Sequence, residues 1–250
     1  IKIFLEEEDL SLQIAVDASS SMDTGSPNKL VYACRLAMGL AYVGLVQNNR
    51  VGLTVFGAPE ARTPARWTER RGRYHAPSAG KFLIDNALGG EERTARPAGE
   101  PLERNGFNAA LSQLAQQRVG SGVMVVVSDF LIEGGYERGL RSLAAAGSSR
   151  ARGFDIFCLQ TLAPAEIDPS KEVDAGRAGD LRLTDIESGR ASEVTMSGAL
   201  LDRYKARFER YEEALAAFCA SREMNHMLVP TDTPVEDVLT QRLRAEGMLV

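Results

Sequence analysis

With 250 residues, 44% of them hydrophobic and 25% charged, the chain is ordinary globular material and long enough for one substantial core. A formal net charge of −5 argues against general nucleic-acid binding, which needs a basic face to neutralise phosphates. Three cysteines cannot all pair with one another, and Cys34, Cys158 and Cys219 fall in helix-like or strand-like runs, as small buried hydrophobes of a reducing compartment do.

In chain order, the first element is the apolar run 10–16, a strand that ends in Asp17-Ala18-Ser19-Ser20-Ser21. A helix follows, with Ser26 as its N-cap and Pro27 at its first position; residues 30–46 are apolar nearly all round, so this helix is expected to be buried. Next come a strand at 51–56 and an irregular stretch at 58–79, longer than most connections. Helices with an apolar stripe are expected at 80–88, 109–117 and 136–145, with a second irregular stretch at 89–101. Strands are expected at 123–127, 154–159 and 227–229. Residues 181–186 and 191–196 alternate apolar and polar around Ser188-Gly189, the pattern of an inserted β-hairpin. After it, Leu201, Tyr204, Phe208, Tyr211, Leu215 and Phe218 form one stripe of a long amphipathic helix, expected to pack on the domain's own sheet. Thr233-Pro234-Val235-Glu236 signals a final helix with a capping box. Strands alternating with helices predict an α/β fold, a mostly parallel sheet with helices on both faces, as one domain over 1–250.

No apolar run approaches the roughly 20 residues of a membrane span, and no leader pattern opens the chain, so a soluble cytoplasmic protein is expected. The chain begins at Ile1 and reads as the carboxyl-terminal domain of a longer protein.

The chemistry-bearing motif is the turn after the first strand. Asp17, Ser19 and Ser21 put one carboxylate and two hydroxyls on a short loop, a half-site suited to Mg²⁺, which prefers oxygen ligands and keeps several waters. A second strand, 122–128, ends in Asp129, and ligands of open α/β sheets gather at the carboxyl ends of strands where the strand order reverses. The alternatives are a plain turn, in which Asp and Ser satisfy local backbone groups, and a scaffold that has lost its metal. An enzymatic reading makes Asp17 the nucleophile of a Mg²⁺-dependent phosphohydrolase, but the general acid such enzymes carry two residues on is replaced by Ser19. Neither a Gly-x-Ser-x-Gly elbow nor a phosphate-cradling loop is present, so serine hydrolysis and nucleotide hydrolysis are not expected. The acidic run Glu6-Glu7-Glu8-Asp9 would point to alternating sides of a strand and is not a shared metal cluster. Arg62, Arg66, Trp67, Arg70, Arg71, Arg73 and Tyr74 make a locally basic, aromatic stretch, read first as a solvated loop, next as a contact for an acidic protein partner and last as one for nucleic acid.

The succession of strand, Asp17-x-Ser19-x-Ser21, buried helix, Val51-Gly52-Leu53-Thr54-Val55-Phe56 and strand-Ser128-Asp129 resembles a von Willebrand factor A (vWA) domain with its metal-ion-dependent adhesion site. Further stretches are similar to the bacterial family catalogued as domain of unknown function fifty-eight: 4–9, 127–131, 179–189 and the ending from Tyr204 to Leu249. The resemblance implies a Rossmann-like sheet and a Mg²⁺ or Mn²⁺ held directly by Ser19 and Ser21, with Asp17 and Asp129 acting mostly through waters. It implies a last coordination position left for a partner's carboxylate. Counting back from Ala109-Ala110-Leu111, Asn105 stands where such proteins carry a threonine ligand, and a shifted register would give that role to Thr94. The family context implies a non-enzymatic interaction module, an adaptor for a MoxR-type AAA+ ATPase in assembling or remodelling other complexes.

Overall fold

The computed structural model describes residues 10–58, 61–89, 106–117, 121–147, 153–170, 180–184, 191–195 and 198–248. Asn105, Thr94, the acidic run 6–9 and the turn Ser188-Gly189 lie outside the described residues.

Strand β1 (Ser11–Asp17) leads into α1 (Lys29–Val46), then β2 (Arg50–Phe56) and β3 (Ala65–Arg70). After a short turn at Arg73–His75 come α2 (Ala76–Leu83), continued as a wider turn at Ile84–Leu88, and α3 (Phe107–Gln116). The chain goes on through β4 (Gly122–Ser128), α4 (Glu137–Gly147), β5 (Phe154–Leu162) and the single turn α5 (Pro164–Ile167). The hairpin β6 (Asp180–Thr184) and β7 (Ala191–Thr195) is followed by α6 (Gly198–Ala220), β8 (Met224–Pro230) and C-terminal helical turns starting at Val235–Asp237. The main sheet has the order β3-β2-β1-β4-β5-β8. Every neighbouring pair runs parallel except β2 and β3, and β6 pairs with β7 antiparallel as a separate ribbon. The expected α/β architecture with its hairpin insertion is what forms.

The period of two along each strand sends alternate residues to two separate cores. Leu12, Ile14 and Val16 of β1 join Leu53, Val125 and Leu159 under α1, where Leu30, Leu36 and Leu40 are fully buried. Ala15, Phe56, Val126 and Cys158 face the other way, against Leu111 of α3, Leu140 of α4 and Leu215 of α6. All three cysteines are buried.

Several local expectations are corrected. The first helix is capped by Asn28, whose side chain accepts the Val31 N–H at 3.0 Å; Ser26 and Pro27 precede it, joined by a cis peptide bond. By length and composition α1 is apolar enough to cross a membrane, contrary to the reading of the sequence, yet most of it is buried against the sheet. The described residues of the stretch 58–79, expected to be irregular, supply the edge strand β3 and the start of α2. At the other end, Thr233 forms no capping box, since Pro234 is the N-cap and the Thr233 carbonyl accepts the Tyr32 hydroxyl at 2.8 Å. The α6 stripe packs on the sheet through its C-terminal half, Tyr211, Leu215 and Phe218, while Tyr204 is exposed.

Candidate functional site at the ends of strands β1 and β4

The strand order reverses between β1 and β4, because β2 and β3 lie to one side and β5 and β8 to the other. With Val16 in register with Val127, Asp17 and the Ser128-Asp129 pair emerge side by side at that switch point. Asp17 is 1% exposed and Asp129 fully buried. The Asp17 carboxylate is fixed at both oxygens: Oδ1 accepts the Ser19 N–H at 2.9 Å and Oδ2 the Ser128 hydroxyl at 2.7 Å. Burial, and next the neighbouring Asp129 charge, push its pKa up to about 6, against the hydrogen bonds from Ser128 and Ser19.

The loop after Asp17 is a folded turn closed by Met22 N–H to Ser19 O at 3.0 Å and Asp23 N–H to Ser20 O at 3.2 Å. Buried Met22 anchors it, and its carbonyl accepts the Leu30 N–H at 2.8 Å, tying the loop to α1. The Thr24 hydroxyl donates to Ser21 O at 2.6 Å. Ser19 Oγ and Ser21 Oγ then stand 3.1 Å apart on the half-buried rim. That separation suits two adjacent ligands of an octahedral Mg²⁺, since bonds of about 2.1 Å place neighbouring oxygens about 3 Å apart. Among the described residues no group of three or more His, Cys, Asp or Glu side chains is placed to hold a metal, so the available donors are hydroxyls and two carboxylates.

Asp129 is held from every side. Its Oδ1 accepts the Leu131 N–H at 3.0 Å and its Oδ2 meets Lys29 Nζ at 3.0 Å. Its carbonyl accepts Gln160 Nε2 at 3.1 Å, and Gln160 Oε1 lies 2.8 Å from His226 Nε2. Phe130 follows with a positive φ of 57°, its N–H on Ser128 Oγ at 3.0 Å and its carbonyl accepting the Tyr211 hydroxyl. Phe107, at the start of α3, packs edge-on between Phe56 and Phe130 and so brings that helix to the site.

Lys29 and Glu166 were not singled out by the sequence. Lys29, 1% exposed, reaches Asp129 and also Glu166 Oε1 at 2.6 Å. Burial disfavours its ammonium, but the Asp129 and Glu166 charges outweigh that and raise its pKa. The available signal was a lysine at the head of a helix whose only other charged residue is Arg35.

The basic stretch lies elsewhere, on the sheet edge. Arg66 and Arg70 of β3, and Arg71 and Arg73 beyond it, are exposed, and Arg66 bonds Gln117. Trp67 is half-buried, packed on the first core and edge-on to His75. The structure therefore separates a core tryptophan from a row of surface arginines.

The family model for "Protein of unknown function DUF58" matches residues 1–214. The chain belongs to the DUF58 family. Among curated relatives, an uncharacterized protein of Mycobacterium tuberculosis is 27% identical over 207 residues, 82% of this chain and 57% of its own length. An uncharacterized protein of Mycobacterium bovis matches to the same extent, so this chain spans 57% of the length of the relatives it matches. Among solved structures, an aerotolerance-related membrane protein from Bacteroides fragilis aligns over 94% of this chain and 99% of its own, with a TM-score of 0.50 at 17% identity. The pilus adhesin SpaC from Lactobacillus rhamnosus GG, in its open conformation, aligns over 98% of this chain and 30% of its own, with a TM-score of 0.52 at 12% identity. At these identities the likeness is one of fold, and this DUF58 chain has the vWA-like fold.

Proposed function

We propose that this DUF58 chain is a non-enzymatic protein-interaction module that takes a divalent cation, Mg²⁺ or Mn²⁺, on the loop Asp17-Ser19-Ser21. Ser19 and Ser21 would be direct ligands, and Asp17 and Asp129 would act mostly through waters. When bound, the cation would supply a Lewis-acidic position for a carboxylate of a partner protein. The observation that carries this reading is the pair of serine hydroxyls 3.1 Å apart beside two buried carboxylates at the switch point of the sheet. The elevated pKa of Asp17 supports it, because two buried carboxylates side by side are relieved by a cation. The family context makes a MoxR-type AAA+ ATPase a reasonable partner, with the module as its adaptor.

Nucleophilic chemistry at Asp17 fits less well, since both its oxygens are engaged in fixed hydrogen bonds. A metal-free scaffold is favoured by one observation, the Lys29 ammonium already seated on Asp129. Calorimetric titration of Mg²⁺ and Mn²⁺ into the chelator-treated protein decides between them. Binding that disappears in Asp17→Ala supports the metal-dependent module, and no heat in the wild type or in a variant without the Lys29 ammonium supports the scaffold.

A further inference from the structure

Lys29 is the first residue of α1 and therefore follows directly on the oxygen-bearing loop; its N–H is bonded to Thr24 O at 2.9 Å. Its side chain runs inward beneath that loop and ends on Asp129 Oδ2 and Glu166 Oε1. Glu166 is fixed in turn, its Oε2 accepting the Ala163 N–H at 2.8 Å, so the ammonium rests on anchored acceptors. Ions taken out of water persist only when opposite charges meet them at close range, and removing one partner leaves the other uncompensated. Asp129 thus has its counter-ion inside the protein, whereas the groups that meet Asp17 are uncharged, the hydroxyls of Ser128 and Ser19 and the Ser19 N–H. Lys29 divides its charge between Asp129 and Glu166, so Asp17, Asp129, Glu166 and Lys29 together carry a net charge of −2 where the three carboxylates alone would carry −3. The affinity of an oxygen site for a hard divalent cation is tuned by its count of ligand charges and its rigidity.

We propose that Lys29 is a built-in counter-ion that keeps the divalent-cation affinity of the Asp17-Ser19-Ser21 loop low by neutralising Asp129, so that the cation is retained strongly only while an acidic group of a partner restores the missing negative charge. This rests on the metal reading above. Cation and partner then bind with positive coupling, each raising the affinity of the other by the same factor.

The test is calorimetric titration of Mg²⁺ into the chelator-treated wild-type protein, Lys29→Met, Glu166→Gln and Asp17→Ala, with the melting temperature of each recorded with and without excess Mg²⁺. Lys29→Met is expected to tighten Mg²⁺ binding about tenfold or more and to be stabilised by Mg²⁺ more than the wild type. Glu166→Gln, which leaves the ammonium to Asp129 alone, is expected to weaken binding. Equal affinities in wild type and Lys29→Met overturn the role of Lys29 while leaving the metal site standing. Absence of binding in the wild type, Lys29→Met and Glu166→Gln overturns the metal reading, and this proposal with it. If Lys29→Met folds only with Mg²⁺, the counter-ion role is supported. If it does not fold at all, Glu166→Gln decides, and unchanged or tighter binding there overturns the proposal.

Discussion

Gly57 lies with its bare Cα against the carboxylate of Asp17: a Cβ at this position would stand 2.7 Å from Asp17 Oδ1 and 3.1 Å from Ser19 N. Its φ of +76° is one that side-chain-bearing residues avoid. The end of β2 is thereby part of the site, although it contributes no polar side chain. Gly57→Ala would combine the left-handed backbone cost with a clash against the hydrogen bond that orients Asp17. The expected loss of stability is about 2 kcal/mol or more, read by urea denaturation. Cation binding at the loop should fall with it, and a variant as stable as the wild type would show that the loop moves aside at little cost.

The raised pKa of Asp17 gives the protein a pH signature with a definite sign. In the unfolded chain this carboxyl titrates near 3.8, and in the native protein at about 6. Between these values the native state holds a proton that the unfolded state has released, so stability from this group falls as pH rises from about 4 to about 6. The amount is about 3 kcal/mol, at about 1.36 kcal/mol per unit of pKa. Denaturation curves of chelator-treated wild type and Asp17→Asn, compared from pH 4 to 7, isolate this contribution as the difference between the two proteins. A difference that stays flat across the range would mean that Asp17 is ionised throughout. Added Mg²⁺ should flatten the wild-type curve if the loop takes the cation as proposed.

Much of this arrangement could be read from residue types alone. The continuous apolar run after Leu30 announced a buried helix, and the strand ends at Asp17 and Asp129 announced a site once the order of strands was supplied by resemblance to a vWA domain. What escaped is physically explicable. The segment Ala65-Arg66-Trp67-Thr68-Glu69-Arg70 carries three charges because an edge strand wets one face, which hides the period-two pattern that marks central strands. Lys29 was passed over because a lysine at a helix start usually points to solvent, and its partners Asp129 and Glu166 lie 100 and 137 residues further on. Gly57 carries no chemistry in the sequence at all, since its role is to leave room. Asn105, the ligand position drawn from resemblance, falls among the undescribed residues.

The division of labour on β3 predicts opposite results for neighbouring substitutions. Trp67 pairs with Leu53 across the strands and packs on the first core, so Trp67→Ala should cost about 2–3 kcal/mol in chemical denaturation. Arg70 and Arg73 are exposed, and their joint replacement by Ser should change stability by about 0.5 kcal/mol or less. If these arginines meet an acidic partner, the double variant loses capture of that partner while its melting temperature is unchanged. A large drop in melting temperature would instead assign them to the fold.

Tyr211 links the far core to the site. Its hydroxyl, on α6, donates to the carbonyl of Phe130, the residue after Asp129, and its ring packs edge-on against Tyr136 at 5.9 Å between centroids. Burial, more than the neighbouring Tyr136, raises its pKa above the ordinary tyrosine range, so the group remains a neutral donor at any physiological pH. Phe130 needs this support because a bulky residue at φ 57° sits in a region that only a well-determined surrounding maintains. Tyr211→Phe keeps the ring packing and removes only the donor, and should cost about 1 kcal/mol, the usual net value of such a bond. Phe130→Gly relieves the backbone strain but empties the pocket beside Phe107, where the rings stand 5.5 Å apart, so it should be the more damaging change. Hydrogen exchange at the Leu131 amide, which is bonded to Asp129 Oδ1, reports whether the turn itself loosens. Faster exchange in Tyr211→Phe with unchanged exchange in β1 would show that α6 holds the Asp129 turn in place through this one hydroxyl.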